Sequence, residues 1–170
     1  PVPSYGGLNW HGNFGEYAFL TRLRAEQLRD IGPTLAPHSA WLLAQGVETL
    51  PFRMQAHVDN ARIVAEWLDA DPRIEKVFWA GLPEHPHFER AQKYLPKGPG
   101  SACSFVVKGG REVGQKFIES VNLASHLANI GDAKTLVIHP ASTTHAQLTE
   151  QQLLDAGVLP GVVRISVGIE

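Results

Sequence analysis

Apolar residues recur at two different periods along this chain, and the change from one to the other falls near residue 71. Between Tyr17 and Ile31, the residues Leu20, Leu23, Leu28 and Ile31 return at helical spacing while Arg22, Arg24 and Arg29 point elsewhere, and Gly32-Pro33 closes the segment. A longer helical pattern runs from His38 to about Leu68, punctuated by Gly46 and Pro51. The missing N–H of Pro51 predicts a kink or break there and makes that point the hinge candidate. From Met54 onwards the second piece gathers Val58, Ala61, Val64, Ala65 and Leu68 on one face, as an amphipathic helix does. Ahead of these helices, residues 1–16 are rich in Gly, Pro, Asn and aromatic residues, which predicts an irregular segment crossing a surface.

After Asp71 the pattern shortens to strands separated by turn residues. Strands are predicted over 74–79, 101–108, 133–139 and 162–169. Pro83-Glu-His-Pro-His and Pro96-Lys-Gly-Pro-Gly bracket a short helix over 86–94. Residues 111–128 carry Val113, Phe117, Val121, Ala124 and Ala128 at spacings of three and four, which predicts a helix with one buried face. The order strand, helix, strand, helix, strand, helix, strand is that of an α/β fold in which helices cover a small sheet.

Composition narrows the partners. The 170 residues, 44% hydrophobic, suffice for a buried core. A formal charge of −2, from 15 basic and 17 acidic residues, provides no broad basic face, so nucleic acid is not an expected partner. No apolar run approaches the roughly 20 residues of a spanning helix, so no membrane partner is expected. The single cysteine, Cys103, reads as a small buried filler inside Ala-Cys-Ser-Phe-Val-Val and is compatible with a reducing cytoplasm. No initiating Met precedes Pro1, and the strand pattern runs on to Glu170 without a cap. Both ends therefore read as cuts in a longer polypeptide, of which this would be a later portion.

Arg164 is the residue whose placement points to chemistry. Val163, Ile165, Val167 and Ile169 alternate onto one face of the last strand, leaving Arg164 and Ser166 on the other. An arginine amid an apolar strand costs free energy to desolvate unless an anion meets it. That anion is either a carboxylate of the protein or one belonging to a ligand. Asn129, in Asn-Ile-Gly-Asp, is expected where the 111–128 helix meets the next strand; it either turns its amide to a ligand or ends the helix, with Gly131 taking positive φ. The run His139-Pro-Ala-Ser-Thr-Thr-His145 would line the same pocket as Arg164.

Other chemistries find less support. His85 and His87 are two apart and His139 and His145 six apart, but no HExxH or CxxC spacing accompanies them, so no metal is expected. His57 reads as a helix-surface or interface histidine. Ser101, Ser142 and Thr143 lack a nucleophile-elbow context, and Gly6-Gly7 and Gly109-Gly110 read as turns rather than a phosphate cradle. None of the six lysines, at 76, 93, 97, 108, 116 and 134, has the apolar setting of a Schiff-base lysine.

Three stretches in order, Leu35–Ala61, Ala128–His145 and Val163–Glu170, together resemble the Cys/Met-metabolism family of pyridoxal-phosphate enzymes. Asn129-Ile-Gly-Asp is similar to the family's sulfhydrylase branch; its cystathionine γ-synthase and γ-lyase branches read Ser-Leu-Gly-Gly there. The resemblance implies the C-terminal part of a fold-type I transferase. Residues 1–50 would be the tail of the large cofactor domain and the start of a connecting helix, and residues 51–170 the small domain that closes over substrate. It implies pyridoxal phosphate as cofactor, held mainly by a missing N-terminal part of the same polypeptide, so that this chain carries no catalytic or cofactor-binding residue and is inactive alone. The family's terminal helix would follow Glu170. The implied reaction is γ-replacement of acetate in O-acetylhomoserine by sulfide or a small thiol, in a cytoplasmic homotetramer of methionine biosynthesis. Arg164 would bind the substrate's α-carboxylate and Asn129 would sit beside it. Open beside this stand another activity of the family (cystathionine γ-synthase or γ-lyase, methionine γ-lyase) and a non-catalytic assembly module.

Overall fold

The computed structural model describes residues 1–170 and divides into two units, Pro1–Glu48 and Thr49–Glu170. The first unit is helical. After a short 3₁₀ turn come α1 (Trp10–Phe14) and α2 (Ala18–Arg22), the latter continuing as a wider π-helical stretch over Leu23–Ile31, then α3 (Pro37–Glu48). Residues 1–16 are thus not irregular throughout. Asn9 caps α1 by accepting the Gly12 N–H at 3.0 Å, a local bond that starts a helix in a segment dense with turn residues. The helix predicted to end at Gly32-Pro33 does so, with Gly32 at φ 69°.

The second unit opens on α4 (Leu50–Ala70), and the break foreseen near Pro51 falls at Thr49, with Pro51 inside the first turn of α4. Proline is tolerated there because a first-turn N–H has no helical partner to lose. Then follow β1 (Ile74–Phe78), α5 (Phe88–Tyr94), β2 (Ala102–Val107), α6 (Gly110–Ser120), β3 (Ser125–His126), β4 (Leu136–Ile138), α7 (Glu150–Asp155) and β5 (Val162–Ser166). The strands form one mixed sheet in the order β1-β2-β5-β4-β3, antiparallel except for the β3–β4 pair. α4 and α6 pack against it. The α/β reading holds, with one strand, β3, more than the pattern had shown.

The α6 helix stops eight residues earlier than its spacing predicted. Ser120 Oγ donates to the Phe117 carbonyl at 2.9 Å, competing for a helix-terminal acceptor, and Val121 is extended at ψ 142°. Val121 and Ala124 still pack against the core, reaching it from non-helical backbone, so an apolar spacing of three to four was satisfied without a helix.

The core lies between the sheet and its helices. Ala61, Ala65 and Leu68 of α4 and Ile118 of α6 meet Val77, Cys103, Phe105, Val107, Val137 and Val163 from the strands and Val167 just past β5. Phe117 sets its ring edge-on to Phe105 at 5.6 Å. Gly114 is required for one close approach: a Cβ there would lie 2.7 Å from the His139 ring.

Candidate functional site

β5 lies between β2 and β4, where strands on both sides satisfy its backbone, and this fixes the direction of its side chains. Arg164 stands opposite Ser104 of β2 and Ile138 of β4, half-buried, while its neighbour Val163 faces the core. Its guanidinium makes one hydrogen bond, Nη2 donating to the backbone carbonyl of Asn129 at 3.3 Å. The ion pairs Arg22–Glu26, Arg29–Asp30 and Arg73–Asp71 leave Arg164 without a carboxylate partner within residues 1–170. Most of its five N–H donors remain available in the fork geometry that suits a carboxylate.

Asn129 lies on the exposed loop between β3 and β4, not at a helix end. Its Oδ1 accepts the Ile130 N–H at 2.9 Å, and its carbonyl faces Arg164. Two residues on, Gly131 at φ 82° turns its N–H to Ser166 Oγ at 3.2 Å. Arg164, Asn129, Gly131 and Ser166 are thus brought together by one strand and one loop.

The His139–His145 run spends its polar groups on its own turn. His139 is fully buried, with Nδ1 at 2.8 Å from Ser142 Oγ and Nε2 at 2.7 Å from the Pro160 carbonyl. Thr143 Oγ1 donates to the His139 carbonyl, and Thr144 pairs with His145. With both ring nitrogens of His139 engaged, this turn braces the chain just ahead of β5 rather than offering groups to a guest. The far end of β5 is held by two polar residues of α4. His57, expected on a helix surface or at an interface, is 1% exposed and packed inside the unit, its Nδ1 2.7 Å from the Val167 carbonyl; Asn60 donates to Gly168 O at 3.0 Å. The available signal was two polar residues, three apart, on the face of α4 that also carries Val58 and Ala61.

No group of three or more His, Cys, Asp or Glu residues converges as metal ligands. His85 and His87 touch ring to ring at 5.7 Å, and burial, more than the neighbouring charges, moves His85 below the usual histidine range. Burial pushes the Cys103 thiol up to about 12, which suits a filler and not a nucleophile. All six lysines are exposed; Lys108 donates to the Pro72 carbonyl, and Lys76 and Lys93 lie over the rings of Phe78 and Tyr94. An apolar cavity of about 400 Å³, lined by Trp67, Phe105, Val113 and Phe117, does not include Arg164.

Residues 14–170 match the family described as Cys/Met metabolism PLP-dependent enzyme. The chain is 48% identical over 170 residues to O-acetyl-L-homoserine sulfhydrylase 1 of Thermus thermophilus, and 49% identical over 179 residues to O-acetyl-L-homoserine sulfhydrylase of Leptospira meyeri. Each match takes in 100% of this chain and 40% of the relative, so the chain spans well under half the length of these relatives. A crystal structure of an O-acetylhomoserine (thiol)-lyase from Campylobacter jejuni, containing N'-pyridoxyl-lysine-5'-monophosphate, aligns with a TM-score of 0.82 at 39% identity over all of this chain and 40% of its own. Carrying the family's pattern over nearly its whole length, the chain belongs to the Cys/Met metabolism family of PLP-dependent enzymes.

Proposed function

We propose that these residues form the C-terminal portion of an O-acetyl-L-homoserine sulfhydrylase, with residues 1–50 the tail of the large cofactor domain and 51–170 the small domain that closes over substrate. The net reaction exchanges acetate at Cγ of O-acetyl-L-homoserine for sulfide or a small thiol, giving homocysteine or methionine. The enzyme would act in the cytoplasm as a homotetramer. The identities to the Thermus and Leptospira sulfhydrylases support this activity.

The role of this chain's own residues rests on one observation: Arg164 is half-buried, opposed by no carboxylate and bonded only to the Asn129 carbonyl. A guanidinium in that setting is prepared for an anion, and the α-carboxylate of an amino acid meets it with two parallel charge-assisted bonds. The Asn129 loop would border the same carboxylate. Holding the amino acid by this end orients its Cα and excludes wrong poses before chemistry begins.

The residues present do not fit the anchorage of pyridoxal phosphate. The cofactor's covalent link needs a lysine in a desolvated setting, and every lysine here is exposed. Binding and orientation are therefore the roles assigned to this chain, and alone it should be inactive. Residues 1–170 mixed with pyridoxal phosphate and borohydride should yield no specific lysine adduct, and a stoichiometric adduct on any of the six would defeat the assignment. In the full-length protein, Arg164→Ala should raise KM for O-acetylhomoserine by about 10- to 100-fold, the worth of a charge-assisted bond or a bidentate pair. Lost stability with unchanged KM would instead make Arg164 structural.

A further inference from the structure

We propose that Ser166 is a positioning residue for the carboxylate site: its buried hydroxyl fixes the 129–131 loop, and that loop in turn holds the Arg164 guanidinium ready for an anion. This rests on the reading of Arg164 given above.

β5 presents Arg164 and Ser166 on the same face, two residues apart. Both bond to one loop at the same offset, Arg164 to the Asn129 carbonyl and Ser166 to the Gly131 amide. The two attachments are unequal. Ser166 is 1% exposed and flanked by Ala102 on β2 and Leu136 on β4, and a single side-chain torsion aims its oxygen. Arg164 reaches from a long, half-exposed side chain; the two bonds are of similar length, 3.2 Å for Ser166 and 3.3 Å for Arg164, so the difference lies in the side chains and not in the bonds. The stiff attachment, anchored on a buried serine, sets where the exposed loop lies, and the flexible one adapts to it.

Gly131 makes this possible. At φ 82° it turns its N–H towards the strand, in a region that favours glycine. Removing the hydroxyl leaves that amide without its acceptor and frees the loop to drift. Arg164 then loses the carbonyl against which it rests, and an incoming carboxylate must order a freer guanidinium. The loss falls on binding of the amino acid, not on the steps that follow.

The test compares Ser166→Ala, Arg164→Ala and the double variant in the full-length holoenzyme, with O-acetylhomoserine as the probe. Ser166→Ala should raise KM by roughly 3- to 10-fold with kcat within about twofold, the net worth of one part-buried hydrogen bond expressed in the ground state. On the Arg164→Ala background it should add less than about twofold, because two residues acting through one interaction are not additive. Ser166→Thr, which restores the hydroxyl, should return KM towards the parent value. Amide exchange over residues 127–133 should quicken in Ser166→Ala while β2 and β5 stay protected. An unchanged KM in Ser166→Ala, or independent effects that multiply in the double variant, overturns the inference. If Arg164→Ala raises KM and Ser166→Ala does not, only the role of Ser166 falls; if Arg164→Ala itself leaves KM unchanged, the carboxylate reading falls with it. Should Ser166→Ala not fold, Ser166→Cys keeps the volume, weakens the acceptor and is read in the same way.

Discussion

In residues 1–48 Trp10 alone is buried, and its indole N–H has no partner, although the stretch carries Phe19, Leu20, Ile31, Trp41, Leu42 and Leu43. In residues 49–170, by contrast, two helices and five strands close over a continuous set of apolar side chains. The two regions are similarly apolar in pattern and differ in what their own residues cover. α3 shows the difference most plainly: Trp41, Leu42 and Leu43 step around its circumference, and each is more than half exposed. A helix apolar on every side is stable when enclosed, whereas the single stripe of α4 needs only one sheet. Periodicity thus tells that a helix forms, and the width of its apolar face tells how many neighbours it requires.

Breaking the core of the second region should have the largest effect. Phe105→Ala removes a fully buried ring and its edge contact with Phe117, and should cost about 3–5 kcal/mol in denaturant unfolding. Leu43→Ala in the first region should change the stability of the chain by less than about 0.5 kcal/mol, as an exposed substitution does. Equal losses at the two positions would erase the contrast between the regions.

A smaller effect is expected at the link between α4 and β5. His57→Ala leaves the Val167 carbonyl without its ring partner and opens a space at a fully buried position, for a loss of about 1–3 kcal/mol. Asn60→Ala, at a half-buried position, should cost less. If neither change lowers the midpoint of unfolding, the helix does not hold this strand end in the way its bonds indicate.

The smallest effect belongs to a surface pair. Hydrogen bonds from Arg73, side chain first and then backbone, hold the Asp71 carboxyl at about 2, below its ordinary 3.8. The folded value lies under the unfolded one, so the pair's contribution is complete above about pH 4 and is lost as pH falls towards 2. Stability curves of the parent and Asp71→Asn should differ slightly at pH 6 and converge only as pH falls through about 2. A constant gap across that range would assign the difference to something other than the ionised carboxyl.

Most elements were legible because their signals are local. Pro51 ended one helix and began another within two residues of where its missing N–H required, and Gly32 closed the segment before it. The alternation in β5 placed Arg164 and Ser166 on one face correctly, since a period of two survives any tertiary setting. The end of α6 was not legible: Val121 and Ala124 keep helical spacing but reach the core from extended backbone, because burial depends on where a side chain arrives and not on the path taken.

What the chain determined by itself was therefore most of the elements, β3, α1 and the end of α6 excepted, and the face that the regular ones present. Tertiary structure alone decided which anion Arg164 would lack, since no sequence spacing reveals that every Asp and Glu lies elsewhere. It also decided that the His139 turn folds upon itself, that His57 is buried, and that the 129–131 loop supplies, to partners 35 residues further on, both the carbonyl beside Arg164 and the amide beside Ser166. These are pairings between residues distant in sequence. Their partners are selected by the closing of the sheet, which brings together groups whose own neighbours in the chain carry no record of one another.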